Sequence, residues 1–519
     1  MTPRSRRTSR FTISRRNAIG GGAALAAGAM LSPGSFTAAA QDAESPITIP
    51  EPQVELPTDD VTFRWIDSGD VKGFFWREFF PKYQEAHPNI TMEYQGLPWN
   101  EIQQIVPLGV RNGNAPDVFQ IPLNIPAAQA AEEGWGAALD DIIPNFEEFK
   151  AGFPAGSFVP GITDFNGKTY TMPLTSNRRH GSLLLYNRAY MEEAGLDPSE
   201  TPFTFDTFRE AARTLTEQGG GRYYGLIFEG NQTNRFANFV NTMALSAGRS
   251  FGTFVGDAPL DWSTGEFVFT SDEHLAGIEL LLALRDDDVI FPGSMALNAP
   301  EARARIPQGD AAMIIQGPWN ISQWRLEAPD FDFGVARPPV ASEDVQGLFH
   351  VGPGGANQVW VFADSKLKEI AADILLYMGS LEGQIAWSKI VGVADMALFP
   401  EAQSEMGDDP EATKALDIFS ETVILGPDAR VRNPDAALVY QNIVPVQPDF
   451  GTVVQGIYTG QLEDPAQAMQ DLQDAWNEEF ERAIGAAQEE GAEVSRDDFV
   501  FANWDPTTDY TDDDYAALD

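Results

Sequence analysis

The chain has 519 residues, 43% hydrophobic and 11% aromatic, which is too long for one compact core and predicts two lobes. Thirty-four Lys and Arg stand against 77 Asp and Glu, and a formal charge of −43 argues against nucleic acid and anionic lipid as partners. Cysteine is absent, which removes disulfides, thiolate metal sites, thiol nucleophiles and a lipid-bearing cysteine.

At the start, Ser14-Arg15-Arg16-Asn17 precedes a Gly/Ala-rich apolar stretch from Ala18 to Leu31, and Ala38-Ala39-Ala40 supplies small residues before Gln41. That order predicts a twin-arginine export signal over residues 1–40, too short in its apolar part to span a membrane. Residues 41–58 hold four prolines and no apolar period, and are predicted to be an extended linker outside any core. The folded body then begins. Val61 to Ile66 alternates like a strand, and Phe75, Phe79, Tyr83 and Ala86 give a helix that Pro88 stops. A strand at Thr91–Tyr94, a helix at Glu101–Val110 kinked by Pro107, and a strand at Asp117–Ile121 follow. Alternation of strand and helix predicts an α/β lobe with a largely parallel sheet.

Near Pro173 the pattern changes, and Ser182 to Tyr186 reads as a buried strand leaving the first lobe. Thr207 to Glu210 fits a capping box, with Phe205, Phe208, Ala212 and Leu215 as the apolar face of its helix. Two more core stripes are Ile370, Ile374, Leu375, Met378, Leu381 and Met469, Leu472, Trp476, Phe480, Ile484. Residues 504–519 turn acidic and predict a loosely ordered tail.

Catalytic patterns are missing. His87, His180, His274 and His350 stand apart, and there is no H-E-x-x-H, G-x-S-x-G, phosphate loop or calcium loop. Runs such as Asp286-Asp287-Asp288 and Asp512-Asp513-Asp514 read as solvated surface, so no metal or cofactor is predicted. Among 77 acids some pair always meets the spacing of a glycoside hydrolase, so acids alone are no argument for one.

An ordered series of short motifs runs through residues 60–490. Phe79 to Ile90 (FFPKYQEAHPNI), Gly113 to Val118 (GNAPDV), Asn166 to Pro173 (NGKTYTMP) with Leu185 to Arg188 (LYNR), and Glu193 to Leu196 (EAGL) come first. Gly309 to Met313 (GDAAM) leading to Gly317-Pro318-Trp319 is the most specific, and Ser365-Lys366 and Gln455-Gly456 complete the order. The body resembles the family 1 extracellular solute-binding proteins, the sugar-binding group that includes maltose-binding protein. It departs from them in lacking the lipid-attachment Cys.

The resemblance implies an α/β, two-lobed, type II periplasmic-binding-protein-like fold with the ligand cleft between the lobes. The lobes are expected to be discontinuous, 59–175 with 352–412 and 176–351 with 413–503. It also implies a non-enzymatic monomer, exported to the periplasm or cell surface, that closes on a sugar and passes it to the permease subunits of an ABC importer. A peptide, polyamine or other polar solute, a receptor-like module that signals occupancy, and a secreted glycoside hydrolase are the alternatives. Sugars need aromatic platforms, amides, carboxylates and Arg. The ligand-binding candidates at loop and strand ends are therefore Trp65, Asp67, Trp99, Asn124, Asn177, Arg178, Arg179 and Trp319.

Overall fold

Alternating apolar residues in Val61–Asp67 and the aromatic face of Lys72–Ala86 build a strand and a helix that pack on each other. A computed structural model describes residues 45–518 apart from Asp70, Pro98, Leu123, Asn124 and Pro126. The export signal predicted at 1–40 and the candidate Asn124 lie outside the described residues.

The strands that organise the body are, in chain order, β1 Val61–Asp67, β2 Ile90–Gly96, β3 Val118–Phe119, β4 Thr171–Met172, β5 Leu183–Asn187, β6 Tyr224–Leu226, β7 Ala311–Gln316, β8 Phe333–Ala336, β9 Phe349–Val351, β10 Val359–Val361 and β11 Val423–Leu425. One sheet has the order β2-β1-β3-β10-β4, parallel across β2-β1-β3 and antiparallel at β10. The other runs β8-β5-β7-β6, with only β7 and β6 parallel. These are two α/β lobes. Helices Lys368–Met378 and Leu381–Val391 return to the first lobe, whose core centres on Phe63, Trp65, Phe75, Trp76 and Trp387.

Three passages join the lobes. The first, 173–182, links β4 to β5, and the second links β8 to β10 through β9. The third begins after Val391. There Val393 and Met396 join a cluster with β5, β7 and β8, while Ala394 and Ala397 join the first lobe's core, so neighbouring residues face opposite lobes. β9 and β11 pair in parallel and tie the second and third passages together. Helix Pro410–Thr422 packs on β8, so a boundary at 412 would cut an element that belongs to the second lobe.

Four expectations are corrected. Residues 46–58 are not a free linker: Ile47 is buried, Ile49, Val54 and Leu56 pack on the first core, and the Gln53 N–H donates to Asp373 at 3.1 Å. Prolines keep this segment extended, and extended backbone turns alternate apolar residues to one side. Residues 504–518 are also packed, with Trp504 and Tyr510 buried. The capping box sits three residues earlier than expected, because the Thr204 hydroxyl accepts the Thr207 N–H at 3.2 Å and helix Phe205–Gly219 starts there. The stripe ending at Leu381 also breaks: Ser380 caps a new helix, and Leu381 is exposed.

Candidate functional site

β1 delivers Asp67 to its carboxyl end, where the side chain is fully buried. Its carboxylate accepts the Gly69 N–H at 2.7 Å, the Tyr94 hydroxyl at 2.9 Å and the Trp65 Nε1–H at 3.3 Å. Burial raises its pKa, Lys72 and these donors oppose the rise, and the facing carboxylate adds to the burial that lifts the Tyr94 hydroxyl.

Lys72, at the start of its helix, reaches from Asp67 to Asp395, with Nζ 3.7 Å from the Asp395 carboxylate. Arg179 pairs with the same carboxylate, and the Asn357 amide donates to it at 3.0 Å and to the Thr175 hydroxyl at 2.9 Å. This knot draws one residue or more from each of the three passages and from the first lobe. Asp395 is buried, and two cations with an amide offset the cost of holding it there.

Two cavities flank Arg430. One of about 400 Å³ is lined by Trp99, Gln120, Thr171, Asn357 and Trp360 on the first-lobe side. The other, about 360 Å³, is lined by Asn177, Trp262, His350, Asp428 and Tyr440. Ile162 and Arg430 belong to both walls. The Asp428 carboxylate accepts Arg430 Nε at 2.9 Å and Nη2 at 2.7 Å, and the guanidinium lies 4.4 Å from the centre of the Tyr440 ring. Beside these cavities the lobes touch, with Gln441 Nε2 donating to Glu132 at 2.8 Å.

Trp319 opens helix Trp319–Glu327 and is half-buried, packed against the first lobe's core. A Cβ on Gly317 would stand 2.3 Å from its ring and one on Gly181 3.4 Å, so bare backbone at 317 is what admits the indole. The Arg235 guanidinium lies 5.9 Å from the ring centre, and Arg235 is 3.8 Å from Glu229. Burial pushes the Glu229 carboxyl up to about 7 against the pull of Arg235.

The predicted residues therefore separate. Trp99 and Asn177 line the cavities, and Asn177 also donates to the Gly352 carbonyl. Asp67 and Arg179 meet through Lys72 and Asp395. Arg178 points away, bidentate to Asp509 at 2.8 and 3.1 Å. Trp65 has no exposed surface and sits 4.5 Å from Trp76 in the aromatic core. Sequence reasoning missed Lys72, Gln120, Asn357, Asp395 and Arg430. Of these only Arg430 left a signal, as part of Ala429-Arg430-Val431-Arg432, a basic step in an acidic chain. Among the described residues no cluster of His, Asp or Glu has metal-binding geometry, and no helix is long and apolar enough to cross a membrane.

The sheets, passages and interlobe cavities define a two-lobed α/β binding protein of the periplasmic type. Residues 68–385 match the profile of the bacterial extracellular solute-binding proteins, and the chain belongs to that family. A binding protein of Brucella abortus is 24% identical over 60% of this chain and 72% of its own length. The sn-glycerol-3-phosphate-binding periplasmic protein of Escherichia coli K12 is 25% identical over 54% of this chain and 61% of its own length. A solved ABC-transporter solute-binding protein from Thermotoga lettingae, bound to α-D-tagatose, superimposes with a TM-score of 0.62 at 20% identity, over 82% of this chain and 100% of that one.

Proposed function

We propose that this protein is the exported substrate-binding component of an ABC importer and captures a neutral carbohydrate or polyol between its lobes. The observation that carries the ligand class is charge. Arg179 and Lys72 share the Asp395 carboxylate, Asp428 clamps Arg430, and Arg235 lies 3.8 Å from Glu229, so the cations of the groove already face carboxyl groups. A phosphoryl group would have to compete with those carboxylates, whereas hydroxyls can add to the pairs as donors and acceptors. The rings of Trp99 and Tyr440 on the cavity walls complement the C–H faces of a sugar. Trp99, Asn177 and Trp319 are the contacts retained from the sequence reading, with Asp67 and Arg179 holding the seam behind them. Capture needs lobe closure and no chemistry, and the closed monomer then docks on permease subunits.

The deciding experiment is calorimetric titration of the purified protein with neutral mono- and oligosaccharides, polyols and sn-glycerol 3-phosphate. Saturable binding of a neutral member with a fall in scattering radius supports the reading. Binding of the phosphate ester alone, or multiple turnover of an oligosaccharide, overturns it. Export is tested separately: Arg15→Lys with Arg16→Lys should block secretion, and the secreted form should begin near Gln41.

A further inference from the structure

The segment 501–518 lies behind the groove and reaches all three passages between the lobes. On the first, Asp509 receives Arg178. Along the second, the His350 ring on β9 lies 5.1 Å from the Trp504 ring, and its Nε2 is 2.9 Å from the Pro506 carbonyl. At the third, the Leu425 N–H donates to Asp509 at 2.8 Å and the Leu425 carbonyl accepts the Tyr510 N–H at 2.8 Å. The segment is anchored on the second lobe by Phe501 N–H to the Trp262 carbonyl at 2.7 Å and by Trp504 against the Trp262 ring. It then returns. The Tyr515 hydroxyl accepts the Asp428 N–H at 2.9 Å, and Asp428 is the residue whose carboxylate clamps Arg430 between the two cavities.

Surface packing alone does not require a segment to bond at once to the first passage, to β9 in the second and to β11, the strand paired with β9. From these contacts we infer that residues 501–518 form a strap across the hinge, and that Asp509 and Tyr515 are positioning residues for ligand capture. Asp509 couples the first passage to the third, which limits how far the crossing strands splay in the unliganded protein. Tyr515 fixes the Asp428 backbone and so aims Arg430, whose Nε and Nη2 are occupied by Asp428 and whose Nη1 edge is left to donate to a ligand oxygen. Ordering done in advance by the strap need not be done on binding, so the strap raises affinity without touching the ligand. The ligand part of this inference rests on the reading of the groove given above; the hinge part does not.

The test uses Asp509→Ala and Tyr515→Phe in the full chain, the second retaining the ring that packs on Tyr510 at 4.7 Å. Because the chain has no cysteine, Glu85→Cys and Glu279→Cys, exposed positions on helices of opposite lobes, give a clean pair for spin-label distances. We expect both variants to bind the best neutral ligand about 10-fold more weakly, and Asp509→Ala to broaden the unliganded interlobe distance distribution. Arg430→Gln should reproduce the affinity loss without the broadening. A lower melting temperature with unchanged affinity and unchanged distances would reduce the strap to packing and overturn the inference. If the wild type binds no neutral ligand, the carbohydrate reading fails and the distance distribution of Asp509→Ala alone decides for or against the strap.

Discussion

The indole of Trp319 is half-buried between Gly317, Gly181 and the Arg235 guanidinium, whereas that of Trp65 is enclosed by Trp76 and Phe80 with no exposed surface. Removing each should therefore fail differently. Trp319→Ala is expected to weaken ligand binding by about 1 to 3 kcal/mol, roughly 5- to 150-fold, with Trp319→Phe losing less. Trp65→Ala should instead lower stability by about 3 to 5 kcal/mol in urea unfolding, the cost of emptying a core site. Calorimetry on folded Trp319→Ala and melting of Trp65→Ala check the pair, and unchanged affinity in the first would remove Trp319 from the site. The sequence distinguished these two tryptophans only in part. Gly317-Pro318-Trp319 announces a residue held by a turn, but a Trp at a strand end looks the same whether it faces a cleft or a core. Arg178 and Arg179 show the limit more sharply. The chain makes a tight turn at Arg178, where the Arg179 N–H donates to the Asn177 carbonyl at 2.6 Å, and the carboxylate partners of the two arginines lie 331 and 216 positions away, which local pattern cannot supply.

Helices with a clean apolar period were legible because one face of each meets one core: Phe75, Phe79 and Tyr83 are all buried, as are Met469, Leu472, Trp476, Phe480 and Ile484. The seam at 392–402 was not, since its residues face two cores alternately and keep no single period. Proline-rich 46–58 and acid-rich 504–518 were misread for a related reason: composition reports what a segment is made of, and the surface it lies on is built from residues hundreds of positions away. The seam's energetic centre is Asp395, which holds Arg179, Lys72 and Asn357 together. Asp395→Ala should cost about 3 to 5 kcal/mol, because it leaves two cations in a buried site without their counter-charge. Asp395→Asn, which can still accept from Asn357, should cost less. Urea midpoints of the two variants against wild type measure the difference, and equal, small losses would show that the knot contributes packing and no charge compensation.

Across the molecule, the carboxylates that outnumber cations repel one another, and that repulsion acts on stability in the same direction as buried acids of raised pKa, Glu229 and Asp67 among them, and against the buried histidines His180, His274 and His350. His180, stacked on Phe349 at 3.8 Å, and His274, bonded to Ser271 and Asn241, are pushed down to about 3 by burial. A histidine whose folded pKa is depressed binds its proton in the unfolded chain first, so its contribution is full above about 6.5 and is lost as pH falls from there toward 3. Glu229 works the other way. Its folded pKa of about 7 exceeds the usual carboxylate value, so the folded state keeps a proton that the unfolded chain releases, and stability falls as pH rises from about 4.5 to 7. Where the windows overlap, His180 and His274 release two protons on folding against the one that Glu229 keeps, so these three groups by themselves make stability rise with pH up to about 6.5. Surface repulsion must be separated from this, and salt does so: about 1 M NaCl shortens the screening length to roughly 3 Å and leaves buried groups nearly untouched. Urea unfolding of the wild type in high salt should thus give a midpoint that falls on the acid side of pH 6.5. His180→Gln and His274→Gln should each flatten that limb by about one proton, while Glu229→Gln should steepen it by one between pH 4.5 and 6.5 and remove the decline between 6.5 and 7. An acid limb unchanged by both histidine substitutions would mean that neither group is buried neutral in the folded protein.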